Sequence, residues 1–278
     1  MRAVSLCATV AILGATLHLA AQQPSRPSTP PARRSAPAPR AKTPATPAPA
    51  PRREATVPFR VGETLTFDVS WSNYLVAGSA TSKVVEKRPS YDSTAYYIVA
   101  EGKPIPLVAR FYSVYYKMDS LLDSFSTLSQ RTSLYTEEGN RKVFSSTLFN
   151  RRTGRAQFEQ QYQPTLQFPI PANVQDGLAT LYTLRGRNFR PGESVSVPVA
   201  DLGLLYTVKF EVGAPAPLNV PLGQLDAWPL RITITDMANQ QVGQNIAAWI
   251  STDARRLPLK LQADLPVGNF ALALRTAQ

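Results

Sequence analysis

The sequence predicts an all-β fold with minor α content: an antiparallel, strongly curved sheet closed as a barrel or stacked as a two-layer sandwich, with one or two short helices. Three observations carry this. Apolar residues alternate with polar ones in run after run from Leu65 to Leu274. Turn-forming Gly, Pro, Asn and Asp residues separate the runs. Segments with helical spacing are too few to cover the dry face of a sheet of about ten strands, so that face must roll onto itself or onto a second layer.

The chain opens with Arg2 and an apolar run from Ala3 to Leu19, broken only by Ser5, Thr9, Thr16 and His18, and followed by Ala20-Ala21. This layout predicts a signal peptide over residues 1–21. The run is also near the length that spans a bilayer, so an uncleaved anchor is the alternative. Either form exports the remainder, to the periplasm or cell envelope. Cys7 sits too early in the run to be a lipidated cysteine. Residues 22–56 are Pro, Ala, Ser and Thr with scattered basic residues, and between Gln22 and Ala55 no aromatic residue or large aliphatic occurs. Such a segment cannot bury enough surface to offset its ordering entropy, which predicts a disordered linker with polyproline-II bias. Extended at about 3.1 Å per residue, it reaches on the order of 100 Å.

The net charge is +11. Leader and linker hold eight basic residues against Glu54, a net of +7, so the remaining 223 residues carry only +4. Basic charge on an exported tail without interleaved aromatics argues against nucleic acid. It suits a solubilising spacer able to make peripheral contact with a membrane or wall polymer.

Residues 57–278 read as a single antiparallel β-domain. Leu65, Phe67, Val69 and Trp71 form the first alternating run. Val195/Val197/Val199, then Tyr206/Val208/Phe210/Val212, then Leu230/Ile232/Ile234 follow later. Leu257 to Leu265 and Phe270/Leu272/Leu274 complete the set. Each predicts a strand with one dry and one wet face. Glu138-Gly139-Asn140 should turn a hairpin between 133–136 and 142–149, and Thr153-Gly154 the next, into 156–162. Pro191-Gly192, Leu222-Gly223 and Val267-Gly268-Asn269 mark further reversals. Val174–Leu184 has helical spacing, with Asn173 as expected cap and Arg185-Gly186-Arg187 as stop. Pro104–Tyr112 is expected to be a short helix or an irregular crossing.

Several fragments resemble the bacterial envelope family known as domain of unknown function 3108. They are Phe59–Trp71 with Ala77–Ala80, Val174–Tyr182, Gly223–Ala227 and Trp249–Lys260. The resemblance implies an exported β-rich protein and assigns no activity and no catalytic residue. Physically, Gly62 and Gly78 suit positive-φ turns. Thr252–Arg255 reads as a tight turn in which Asp253 accepts backbone N–H bonds and Arg255 or Arg256 pairs with it or with a neighbouring strand. The alternative is that Asp253, Arg255 and Arg256 form a basic clamp for a carboxylate or phosphate.

The only cysteine, Cys7, and the only histidine, His18, lie in the leader. Without them the domain has no thiol or imidazole, which removes Cys and His nucleophiles, His bases and soft metal sites. Asp119/Asp123 and Glu137/Glu138 are the close acidic pairs, expected at a strand end and in a solvated turn. No nucleophile elbow, phosphate loop or calcium loop is present. We therefore expect no catalytic residues, no cofactor and no metal. Trp71, Tyr96, Phe111, Tyr112 and Tyr116 are the aromatics expected in a core or ligand cavity. The expected function is a non-catalytic exported β-domain that binds a lipid-like or glycan ligand, or an envelope protein. A membrane-anchored spacer-and-docking protein of TonB-like layout is the alternative, and a carboxylate-dependent wall-polymer hydrolase a remote one.

Overall fold

The alternation becomes fifteen strands and two short helices in the computed structural model, which describes residues 52–71, 75–111, 113–265 and 268–278. Strands β1 (Thr64–Trp71), β2 (Leu75–Ser90) and β3 (Ser93–Pro104) precede helix α1 (Pro106–Ala109). Next come β4 (Val114–Asp123), β5 (Ser129–Glu138), β6 (Arg141–Asn150), β7 (Arg155–Gln160) and β8 (Leu166–Pro169). Helix α2 (Gly177–Arg185) leads to β9 (Ser194–Asp201), β10 (Leu204–Val212), β11 (Ala216–Val220) and β12 (Gly223–Thr235). The last strands are β13 (Gln241–Ser251), β14 (Pro258–Leu265) and β15 (Gly268–Ala277). The leader, most of the linker and Tyr112 lie outside the described residues.

All fifteen strands belong to one sheet, and every paired strand is antiparallel. The protein is all-β, as expected. Its order is two meanders joined where β1 pairs β15, and the free ends of the path are β8 and β9. Closure by strand pairing is not what the described residues show: β8 and β9 are not hydrogen-bonded, and no second sheet stacks on the first. The ends meet through side chains instead. Phe149, Ala156, Val174 and Ala200 share one buried cluster, with Phe168 and Leu205 against it. Register shifts in six strand pairs supply local bends that help the sheet to curl.

Gln175 bolts this seam. Its N–H donates to Pro198 O and its carbonyl accepts from Ala200 N, both at 2.9 Å, an isolated parallel bridge to β9. Its side-chain oxygen accepts from the N–H and hydroxyl of Ser129, at the start of β5, both at 2.8 Å, and its amide donates to Thr127 O at 2.8 Å. Residues 174–176 are thus committed to bridging, which explains why α2 starts at Gly177 and is capped by Asp176 rather than Asn173. The short helix α1 falls inside the segment expected to hold one. Gly139 (φ 59°) and Gly154 (φ 64°) turn the expected hairpins in the left-handed region.

Candidate functional site

Curling leaves a partly open cavity of about 380 Å³ lined by strands of both meanders and by α2. That volume lies in the range of small-molecule pockets. Phe67, Met118, Phe210, Ile232, Leu261 and Leu272 are among its walls. Leu178, Leu181 and Leu184 of α2 form its floor. The same helix turns Ala179 and Tyr182 the other way, into a core of Phe59, Val84, Ile98 and Leu122.

Strand parity sorts the polar groups of the lining. Ala100 and Gly102 of β3 face in, so Glu101 between them faces out, where it pairs with Lys117 at 3.6 Å. Ser82 and Tyr182 share a hydrogen bond of 2.8 Å. Asp201, opposite Leu204 on β10, continues the inward parity of Val199, which is opposite Tyr206. It is the one carboxylate among the described residues whose side chain faces into the cavity by this parity, and no Lys, Arg or His is in the described lining. Burial pushes the Asp201 carboxyl up to about 6; the charge of Asp176 adds to this and the Leu202 N–H opposes it. Burial, followed by Asp201 and Asp236, pushes the Tyr206 hydroxyl up to about 12.

The floor is fixed by a dense polar network on its far side. Asp176 accepts from Ala179 N at 2.8 Å and from the Ser120 hydroxyl at 2.7 Å, and its N–H donates to Ser129 Oγ. Burial raises the Asp176 carboxyl above the usual range against these bonds. At the helix C-terminus, Arg185 (1% exposed) forms a two-pronged ion pair with Glu63 (6% exposed), at 2.6 and 2.8 Å. Arg185 also donates to the carbonyls of Arg255 and Arg256 and lies over the rings of Phe59 and Tyr182.

Of the aromatics singled out in the sequence, Tyr116 lines the cavity and its hydroxyl donates to Glu138 at 2.7 Å. Tyr96 belongs to the core beneath α2, edge-on to Phe59. Trp71 is 44% exposed and stacks on Phe270 at the end of β1, while Phe111, 86% exposed, stands beyond α1. Neither is in the cavity wall: Trp71 is the last residue of β1, and Phe111 lies in the connection between α1 and β4. In the 251–256 turn, Asp253 accepts the Ser251 hydroxyl at 2.6 Å, and Arg255 donates to Ala277 O on β15. Arg256 N donates to Asp253 O, so the turn residues are tied locally, and of the two pairings expected for the arginines Arg255 makes the one to a neighbouring strand. The acidic pairs also separate. Asp119 accepts Ser133 Oγ on the outer face, and Asp123 accepts the N–H groups of Phe125 and Ser126. Glu137 and Glu138 lie in β5 rather than in a free turn.

Sequence reasoning missed Asp201 and the helix leucines. For Asp201 a signal existed, since it is the next odd residue after Val195, Val197 and Val199.

No curated protein matches the chain. Among solved structures, it is similar to a beta-barrel-like protein of domain of unknown function DUF1849 from Brucella abortus. Identity is 11%, coverage 78% of this chain and 97% of that one, and the TM-score 0.51, a likeness of fold alone. Looser likenesses, each with a TM-score of 0.33, are to a candidate exported protein with a YmcC-like fold from Bacteroides fragilis and a candidate lipoprotein from Parabacteroides distasonis. Their identities are 10% and 9%, and each alignment covers 81% of this chain and 100% of the other. Residues 66–275 match the family model described as protein of unknown function DUF3108, and the chain belongs to that family.

Proposed function

We propose that the protein is a non-catalytic carrier or sensor of an apolar ligand in the cell envelope, and that the ligand occupies the cavity above α2. The observation that carries this reading is the cavity itself, with aliphatic and aromatic walls and a single inward carboxylate. Such walls forgo dispersion contacts wherever nothing packs on them, and a cavity of this size lowers stability by several kcal/mol until an apolar group fills it. A glycan would need many hydrogen-bonding side chains that this lining lacks, which favours a lipid-like chain. The envelope location rests on the leader.

The test is to purify the full chain from cell envelopes under mild conditions and extract it with organic solvent for mass spectrometry. One acyl-chain species in near-equal proportion to protein is the expected result. Ala100→Leu with Ala248→Leu fills the cavity from two walls and should abolish that recovery while the fold persists by circular dichroism. Recovery that is nil for the native chain, or unchanged in the filled variant, overturns the reading.

A further inference from the structure

We infer that the cavity discriminates by head-group charge, with Asp201 as the determinant: it accepts chains ending in a neutral polar group or an ammonium and rejects carboxylate-ended chains. This deepens the proposed function and rests on it. The argument is one of inventory and direction. Asp201 faces inward from the end of β9. The groups that bear on it are Asp176 at the start of α2, the Tyr206 hydroxyl on β10 and the Leu202 N–H. Asp236 acts on Tyr206 from the end of β12. Two of these three titratable groups are carboxyls and none is a cation. Lys117 and Lys209, each between two lining residues of its strand, belong to the outer face by alternation and are paired with Glu101 and Glu211. An anionic head entering the cavity therefore meets like charge in a low-dielectric setting with no counter-ion in the described lining. A hydroxyl or ammonium head finds an acceptor in Asp201. Burial and the Asp176 charge make the lone Asp201 carboxylate costly, and a donor from the ligand relieves that cost.

The cavity matches roughly a dozen water volumes at about 30 Å³ each, the scale of a medium alkyl chain. Dodecanol below its solubility limit, and dodecylamine and dodecanoate below their micelle concentrations, are titrated into the full chain at pH 7.5 by calorimetry. Dodecanol and dodecylamine should bind at least tenfold more tightly than dodecanoate. Asp201→Asn should narrow the alcohol–carboxylate gap to below threefold, while Asp119→Asn, on the outer face, should leave it at the native value. Failure of dodecanol and dodecylamine to bind sinks the apolar-cavity reading itself. Binding of dodecanol with dodecanoate within threefold of it overturns the charge inference and leaves the cavity reading standing. A gap that persists in Asp201→Asn removes Asp201 as the determinant. The three-probe comparison on the native chain decides the matter even if that variant fails to fold.

Discussion

The two faces of α2 are built on opposite principles. Below the helix nearly every polar atom is spoken for: Asp176 caps its start, Gln175 spans the sheet seam, and Arg185 grips Glu63 and two carbonyls of the 251–256 turn. Above it, leucines face a space walled by other apolar side chains. The fragments that carry the family resemblance reach both faces: Phe67, Ala80, Leu178 and Leu181 line the cavity, while Phe59, Glu63 and Tyr182 lie on the lower side. Glu63 and the carbonyls of Arg255 and Arg256 meet at Arg185, and Phe59 packs on Tyr182, although these residues are far apart in the chain. The cavity wall is made of apolar residues, whose contribution depends on buried area more than on direction.

The largest way to break this contrast is at the ion pair. Arg185→Met leaves Glu63 buried without its partner and should cost about 3–5 kcal/mol in urea unfolding, with Glu63→Gln of similar effect. The double change Glu63→Leu with Arg185→Met should recover more than half of that loss, since an apolar pair of similar volume has no charge to desolvate. Strictly additive losses would mean that the two residues act separately. Next in size, Asp176→Ala removes the helix cap and leaves Ser120 and the Ala179 N–H without their acceptor. It should cost about 2 kcal/mol, and Asp176→Asn clearly less; equal losses would count against the cap as the cause.

The smallest expected change has the opposite sign and belongs to the upper face. The folded-state carboxyl of Asp201 stands at about 6 against an ordinary 3.8. A raised carboxyl contributes stability that is fully present below the ordinary value and is lost as pH rises through 6. Asp201→Asn escapes this loss. It should be more stable than the native chain by about 1–2 kcal/mol at pH 7.5, with the difference fading as pH falls from 6 to 4. Thermal melts across that window check it. A flat difference would show that the Asp201 carboxyl is not held high by the fold. Retaining a destabilising acid in an apolar cavity is the pattern expected of a working site rather than a structural one.

Much of this architecture was legible in the residues. Leu65 and Phe67 announced β1 by alternation, Gly139 and Gly154 announced their hairpins, and the scarcity of helical spacing required the sheet to curl. The limits were equally physical. Alternation says that Trp71 and Phe67 share a face but not where the cavity ends, so Trp71 passed for a wall residue although it stacks outside on Phe270. Asn173 and Asp176 are both good caps, and only the pairing of Gln175 with β9 decides between them.

By itself the sequence determined the antiparallel class, the hairpin sites and the lack of any Cys or His after residue 18, because these follow from local backbone preference and composition. Tertiary structure alone decided that β1 pairs β15, that β8 and β9 meet by side-chain packing, that Arg185 finds Glu63 across 122 positions, and that Asp201 faces an apolar cavity. Those are long-range pairings, and their free energy comes from surfaces that meet only once the chain has curled.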